Sequence, residues 1–380
     1  MIVHREEQIE QIASVLAPAL RGEKVSNLFL YGRTGSGKTL SVRHVGNKLL
    51  EKVKQLERDH LKFIYVNCKL KKVADTEYRI ISEFIKSLGG SVPATGLPTD
   101  VVYSKFIDMI DDKKQSIILV LDEIDQAVKK ISDSFIYSLT RINSELKNAQ
   151  ISLIGISNSL TFMDNLDPRV RSSLGEEELV FPPYNALQLQ DILKERSNGA
   201  FKDGVLGEGV IEKCAAYAAR EHGDARRALD LLRVAGELAE RKRDKKVGVK
   251  YIDESNRKIE KDKMLDVIVS VPNQFQLVLW SMMKLDSLKE GNRKKGKMID
   301  DRIFTGDVYR CYQEVCGESK NEVLTQRRVG DIFAEFDMLG VINARVLSKG
   351  RHGRTREIKL GLNVNVKERA RDILKESLGF

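Results

Sequence analysis

The sequence predicts three parts: an α/β domain on a parallel sheet, a helical lid, and an α+β domain of the winged-helix type. The glycine-rich run at residues 32–39 lies between a short apolar run and a helix-spaced one. Two later runs rich in apolar residues suit strands buried on both faces of a parallel sheet. Near the C-terminus, three helical periodicities precede two alternating strands around a basic glycine-rich tip. We expect boundaries of 1–185, 186–263 and 264–380.

The composition narrows the class of protein. A chain of 380 residues exceeds one ordinary core, and its net charge of +9 permits a polyanionic partner such as nucleic acid. No apolar run reaches the ~20 residues of a membrane span, and the N-terminus has no signal-peptide pattern, so we expect a cytoplasmic protein. The cysteines at 68, 214, 311 and 316 fit no zinc spacing. We expect buried free thiols rather than disulfides or metal ligands.

The glycine-rich run fits the template G-x-x-x-x-G-K-[ST], a phosphate cradle. Its glycines let backbone N–H groups point at nucleotide phosphates, and the helix N-terminus adds partial positive charge. Lys38 would reach the β- and γ-phosphate oxygens. The Thr39 hydroxyl would ligate Mg²⁺, which is carried mainly by the nucleotide and water. The candidate nucleotide-binding residues of this run are Gly32, Thr34, Gly35, Ser36, Gly37, Lys38, Thr39 and Leu40.

A helix predicted at residues 4–20 precedes the first strand. A helix in this position often lies over the nucleotide base, which makes Arg5 a candidate base contact. The alternative is that His4 and Arg5 are merely solvated, and the sequence leaves both open.

Polar side chains follow two strands predicted to be buried, an apolar one at 116–121 and another at 151–156. The carboxyl ends of parallel strands form the edge at which α/β sheets bind ligands. Asp122 is placed to hold Mg²⁺ through water, and Glu123 to polarise the attacking water. Asn158 could touch the γ-phosphate or orient that water.

Three arginines are further candidates for the phosphoryl site. Arg169 and Arg171 suit phosphoryl charge delivered from a neighbouring subunit, or they pair with the local acids at 176–178. Arg226 lies in the first turn of a helix that Asp224 can cap, where a cation opposes the helix dipole. An anion such as a γ-phosphate would explain that placement.

The C-terminal pattern predicts DNA contacts of two kinds. A recognition helix at 325–339 would enter the major groove, and the basic tip at 348–354 would lie over the backbone or minor groove. A winged helix used for protein contacts is the alternative. We expect the basic run at 289–297 to be a solvated loop. The candidate DNA contacts here are Gln326, Arg327, Arg328, Lys349, Arg351, Arg354 and Arg356.

These motifs occur in the order and spacing of AAA+ ATPases. The runs Leu-Asp-Pro-Arg-Val-Arg-Ser-Ser-Leu (166–174) and Glu-His-Gly-Asp-Ala-Arg-Arg-Ala-Leu (221–229) closely resemble the archaeal initiators related to the origin recognition complex and the cell division control protein (Orc/Cdc). The resemblance covers essentially the whole chain. It implies that Asn158 is sensor 1, Arg226 is sensor 2, and Arg169 or Arg171 is the trans-acting finger.

The resemblance also implies a function. It predicts an ATPase with slow, regulatory hydrolysis that uses ATP/ADP and Mg²⁺ and acts at the nucleoid. The implied partners are double-stranded origin DNA, related initiator subunits and the replicative helicase (MCM). The segment 91–110 resembles an initiator-specific insertion that touches DNA, with Thr95 and Gly96 as candidate contacts.

Two other functions stay open from the sequence. A branch-migration helicase also joins this type of ATPase to a winged helix, and a transcription regulator could gate DNA binding with nucleotide. The insertion and the amino-acid sequences of the two arginine motifs favour the initiator.

Overall fold

The computed structural model describes residues 2–69, 76–93, 96–174, 176–294, 302–348, 354–362 and 364–380. It divides into two compact units, Met1–Ile252 and Asp253–Phe380.

A five-stranded parallel sheet forms the centre of the first unit, in the order β2-β3-β4-β1-β5. The register places Asn67 of β2 opposite Asp122 of β3, and Tyr31 of β1 opposite Ser157 of β4, so the carboxyl ends of these strands meet at one edge. The strands are β1 (Asn27–Tyr31), β2 (Leu61–Asn67), β3 (Ser116–Asp122), β4 (Gln150–Ser157) and β5 (Glu176–Val180).

Helices cover both faces of this sheet. Alternate residues of β3 enter two separate apolar clusters, Leu119 and Leu121 in one and Ile118 and Val120 in the other. This confirms the predicted doubly buried parallel sheet. The helices around it are α1 (Glu6–Leu16), α2 (Lys38–Gln55), α3 (Glu77–Ser87), α4 (Thr99–Ile110), α5 (Ile124–Lys130), α6 (Ser134–Arg141) and α7 (Pro168–Leu174).

The first predicted helix is shorter in the structure. The α-helix α1 ends at Leu16 and continues as the 3₁₀ helix Ala17–Arg21, which has proline at its start and closes on Gly22 in the left-handed region. Pro18 lacks the N–H that would continue the α-helical ladder. The segment 91–110 contributes α4, which packs against α3 through Phe84 and Phe106, with ring centroids 5.6 Å apart.

Three further helices complete the first unit. α8 (Ala186–Ala200) begins with a capping box between Asn185 and Gln188, and α9 (Val210–Arg220) packs beside it. α10 (Ala225–Arg241) has Asp224 at its N-cap, and the Asp224 carboxylate accepts from the backbone N–H groups of Arg226 and Arg227. The predicted cap is therefore present.

The second unit has the predicted winged-helix form. Its antiparallel sheet, in the order β6-β8-β7, packs with the helices around one apolar cluster that includes Val308, Phe333 and Ile358. The short strand β6 and the last helix are not among the elements predicted from the sequence. The elements are α11 (Val249–Ser270), which begins in the first unit, α12 (Asn273–Lys294), β6 (Ile303–Phe304), α13 (Thr305–Glu318), α14 (Gln326–Met338), β7 (Ile342–Ser348), β8 (Arg354–Leu360) and α15 (Val364–Leu378).

All four cysteines are buried with free thiols. Over the part of the chain that the structure describes, no helix combines the length and apolar character needed to cross a membrane.

Candidate nucleotide site and DNA-contact surfaces

A cleft of about 450 Å³ opens at the carboxyl edge of the parallel sheet. The glycine-rich loop and the ends of β2, β3 and β4 form one wall, and α8 and α10 face them. The cleft has the concave form and mixed apolar and polar lining expected of a cofactor site. It brings together Thr34, Gly35, Gly37, Lys38, Thr39, Leu40, Asp122, Glu123, Asn158 and Arg226 of the predicted residues.

The glycine-rich loop fits closely against the start of α10. Gly35 has φ +73° and Gly37 has φ +96°, a backbone region that side chains rarely permit. A Cβ at Gly35 would lie 1.8 Å from Asp224 Oδ1. The loop and the N-terminus of α10 are therefore in direct contact, and Gly35 is needed for both its conformation and its lack of a side chain.

Lys38 is buried at the base of the cleft. Its Nζ donates to Gly32 O at 2.7 Å, to Arg33 O at 3.0 Å and to Asn158 Oδ1 at 3.0 Å. Burial of the ammonium lowers the pKa of Lys38 to about 8, and the nearby Arg226 adds to that lowering. Phosphate oxygens are stronger acceptors than these carbonyls, so the ammonium is positioned to bind an anion.

Oxygen donors fit a magnesium ion at the end of β3. Thr39 Oγ1 donates to Asp122 Oδ2 at 2.9 Å, and Asp122 is 5 % exposed. Among the described residues, no group of three or more histidine, cysteine, aspartate or glutamate side chains could hold a metal ion. A hydroxyl and one carboxylate suit Mg²⁺, which keeps waters and phosphate oxygens as its other ligands.

Tyr65 also binds this carboxylate. Its hydroxyl donates to Asp122 Oδ2 at 2.5 Å, and the guanidinium of Arg43 lies 3.9 Å from the centre of its ring. Burial first, and then this hydrogen bond, raise the pKa of Tyr65 to about 12. Tyr65 is not among the site residues predicted from the sequence, because its closeness to Asp122 depends on the pairing of β2 with β3.

Glu123 and Arg226 face the cleft from opposite sides. Glu123 has φ +55°, and its carboxylate lies 3.6 Å from the exposed Nζ of Lys69. Arg226 lies in the first turn of α10, and its guanidinium has no partner among the described residues. A guanidinium in a cleft, at a helix N-terminus and without an ion pair among the described residues, is available to an anionic ligand.

Arg5 lies beneath the loop and does not line the cleft. It is 2 % exposed, and its guanidinium donates to Ser36 O at 2.8 Å and to Pro182 O at 2.5 Å. The same group stacks on Tyr184, 3.8 Å from the ring centre. Its burial excludes the solvated alternative for Arg5, and a contact with the nucleotide base stays a prediction. Its hydrogen bond to Ser36 O supports the backbone of the glycine-rich loop at a residue that is itself buried.

The two candidate finger arginines are exposed on α7. Arg171 Nη1 lies 3.6 Å from Asp164 Oδ1, a contact that solvent screens strongly. Arg169 uses its backbone N–H to bind Asp167 Oδ1 at 2.8 Å. Its guanidinium has no partner within the described ranges, where neither arginine contacts Glu177 or Glu178. Arg169 is therefore the freer of the two cations.

The start of α14 presents the predicted recognition residues to solvent. Gln326, Arg327 and Arg328 are all exposed, and the Thr325 side chain caps the helix by accepting from Arg328 N. The Arg328 guanidinium also lies 3.7 Å from Asp331. Arg327 and Gln326 are the side chains in this turn most available to an outside partner.

The other candidate DNA contacts are described less fully. Arg356 donates to Gly330 O at 3.4 Å, which ties the wing strand β8 to α14. Gly96 is exposed with φ +106°. Lys349, Arg351 and Thr95 lie outside the described residues. Arg354 begins β8, but its side chain is not described.

Three family models match successive parts of the chain. They are the AAA domain at residues 23–163, the Cdc6 AAA+ ATPase-type lid domain at 190–257, and the CDC6 C-terminal winged helix domain at 266–369.

Curated relatives match the chain along most of its length. The ORC1-type DNA replication protein 1 of Methanosarcina mazei is 48 % identical over 376 residues, 99 % of this chain and 87 % of that protein. The ORC1-type DNA replication protein of Pyrococcus abyssi is 52 % identical over 363 residues, 94 % of this chain and 83 % of that protein.

Solved structures match in the same way. The Aeropyrum pernix ORC1 protein in complex with DNA has a TM-score of 0.82 and 44 % identity, covering 99 % of this chain and 93 % of that one. Cdc6p from Pyrobaculum aerophilum, at 20 % identity and a TM-score of 0.58, covers 100 % and 95 % and shows the shared fold.

Proposed function

Because the chain belongs to the ORC1-type DNA replication proteins, a family of AAA+ ATPases with a winged helix, we propose that it is an ATP-regulated origin-recognition protein. As a family member it is a replication-initiation protein. The proposal adds that it binds ATP and origin DNA, hydrolyses ATP slowly as a switch, and helps to recruit or load the replicative helicase (MCM) at the nucleoid.

One observation supports the nucleotide part most strongly. Lys38, Thr39, Asp122, Asn158 and Arg226 come from four separate places in the chain and line one cleft. In the proposed complex, Lys38 exchanges its carbonyl partners for β- and γ-phosphate oxygens. Arg226 binds the γ-phosphate from the α10 side, as sensor 2. Bound Mg²⁺ supplies charge neutralisation of the phosphates, with Thr39 and Asp122 as the residues that hold it.

For hydrolysis we propose separate roles for three residues. Glu123 polarises the attacking water, and Asn158 orients that water or the γ-phosphate as sensor 1. Arg169 is the better candidate for the finger of a neighbouring subunit, because its guanidinium is exposed without a described counter-charge, whereas Arg171 lies near Asp164. A site that needs a second subunit for completion explains slow turnover by an isolated protein.

For DNA we propose that α14 reads base edges and that the wing supports it. Arg327 and Gln326 lie in the first turn of a rigid helix, where bidentate contacts to bases are geometrically accessible. Arg328, Lys349, Arg351, Arg354 and Arg356 are proposed to act mainly on phosphates. Thr95 and Gly96 remain proposed contacts of the inserted segment.

The nucleotide proposal is tested by two substitutions with opposite signatures. Lys38→Ala should abolish ATP binding, because it removes the charge-assisted contacts to the phosphates. Glu123→Gln should retain ATP binding and lose hydrolysis, since it alters only the group that polarises water. Hydrolysis by Glu123→Gln at the wild-type rate would contradict the role of Glu123.

The DNA proposal is tested by footprinting the protein across its own chromosome. Occupancy at a replication origin supports the initiator. Occupancy at promoters without an origin would favour a transcription regulator. A six-membered ring with ATP would favour a motor.

A further inference from the structure

The Asp122 carboxylate accepts three hydrogen bonds, and one of them comes from a tyrosine that the proposed function does not use. Thr39 Oγ1 and the Tyr65 hydroxyl both donate to Oδ2, at 2.9 and 2.5 Å. The backbone N–H of Glu123 donates to Oδ1 at 3.0 Å. Asp122 is therefore held from three directions, by α2, by β2 and by its own strand end.

The position of Tyr65 is itself fixed. It lies on β2 opposite Val120 of β3, and the paired strands bring its hydroxyl to the carboxylate two residues further along β3. The Arg43 guanidinium covers its ring at 3.9 Å. A strand backbone on one side and a stacked cation on the other leave the ring little freedom to turn away.

Two donors on Oδ2 take up most of the acceptor capacity of that oxygen. Oδ1 has one described donor and keeps capacity for another. A carboxylate held by these three donors has a fixed orientation in the lining of the cleft. Partners of this kind orient metal-binding groups and typically change metal affinity strongly when removed.

We propose that Tyr65, held in place by Arg43, is a positioning residue that orients Asp122 toward the water shell of a magnesium ion bound with nucleotide. The inference rests on the proposed function, because it presupposes magnesium nucleotide in this cleft. In this role Tyr65 acts through Asp122. The role does not require a contact between Tyr65 and the nucleotide phosphates.

The test is the affinity for a non-hydrolysable ATP analogue, measured by calorimetry with excess Mg²⁺ and again with a chelator. Tyr65→Phe keeps the ring under Arg43 and removes only the hydroxyl. We expect the gain in affinity that Mg²⁺ provides to fall about tenfold. Binding without Mg²⁺ should stay at the wild-type value.

Tyr103→Phe is the matched control. Its hydroxyl also donates to a carboxylate, Glu77 Oε1 at 3.2 Å, but it lies on α4, outside the cleft lining. It should leave both affinities unchanged. An equal loss in both tyrosine variants would overturn the inference, since it would indicate a general effect of losing a tyrosine hydroxyl in this domain.

A double-mutant cycle with Asp122→Asn decides how Tyr65 acts. If Tyr65 works through the carboxylate, Tyr65→Phe should cause no further loss of Mg²⁺ dependence in the Asp122→Asn background. A full, additive loss there would overturn the inference. If wild type binds the analogue equally with and without Mg²⁺, the proposed magnesium site fails, and the role of Tyr65 fails with it. Normal Mg²⁺ dependence in both wild type and Tyr65→Phe would refute the inference alone.

Discussion

Nucleotide binding should draw a proton onto Lys38 above neutral pH. Burial lowers the pKa of this lysine to about 8 in the nucleotide-free protein, from 10.5 in the unfolded chain. Between these values the folded protein binds fewer protons than the unfolded chain, so this group makes the free energy of unfolding rise with pH across that window. Triphosphate charge beside the ammonium favours the protonated form, so nucleotide binding should raise the pKa of Lys38 again.

The magnitude follows from the pKa of Lys38. With a pKa of about 8, roughly a quarter of the lysine is protonated at pH 8.5, so nucleotide binding should take up about 0.8 proton there and about 0.1 at pH 7. The same linkage weakens the affinity for ATP about tenfold between pH 7 and pH 9, which corresponds to about 1.4 kcal/mol. The triphosphate is itself largely ionised across this range, so its own titration adds little to the change in ATP affinity.

The assay is calorimetry of ATP binding in pairs of buffers with different heats of ionisation. The Glu123→Gln background removes heat from hydrolysis. Adding Lys38→Arg supplies the control, because a guanidinium stays protonated in both states and should take up no proton. Equal uptake with lysine and arginine at position 38, or wild-type affinity that is constant from pH 7 to pH 9, would refute the reasoning.

Three further predictions concern arginines. Arg226→Ala should weaken the preference for ATP over ADP, because it removes a contact to the γ-phosphate; equal preference in titrations of variant and wild type would contradict it. Arg169→Ala should leave ATP binding by the monomer intact and lower hydrolysis in the assembled complex, with a smaller effect for Arg171→Ala; normal hydrolysis in both would favour surface roles. Arg327→Ala should cost specific DNA binding ~1–3 kcal/mol more than non-specific binding, whereas Arg354→Ala should weaken both and reduce the salt slope by about one ion, as measured on origin and scrambled duplexes across a salt series.

Much of the fold was predictable because its signals are local. The run 117–121 is apolar throughout and lies within β3, every residue of which is buried. The cap at Asp224 was predicted from residue type and position alone. The last helix, α15, was missed, although Val366, Ala370 and Leu374 recur every four residues and are buried. The helical signal of α15 is therefore present in the sequence.

The residues of the site were less predictable than the motifs that carry them. Arg5 was expected over a base or in solvent, and the structure stacks it on Tyr184, which is 179 residues away. Nothing near Arg5 in the sequence indicates that partner. Tyr65 also looks like an ordinary strand residue until β2 and β3 are paired in register. Contacts between distant segments depend on the register and on helix docking, which local patterns do not determine.

The contact between Gly35 and Asp224 joins two motifs that the sequence predicts separately, the glycine-rich loop and the capped start of α10. A single aspartate caps α10 through Arg226 N at 2.8 Å and also packs against the loop glycine. We expect a shift of the loop toward α10 to displace the start of that helix, because the space beside Gly35 admits no Cβ. Arg226 lies two residues beyond that cap, so the group proposed to sense the γ-phosphate is carried on the element that the loop contacts. If the proposed nucleotide site is correct, this contact is where we expect nucleotide state to affect the helical lid.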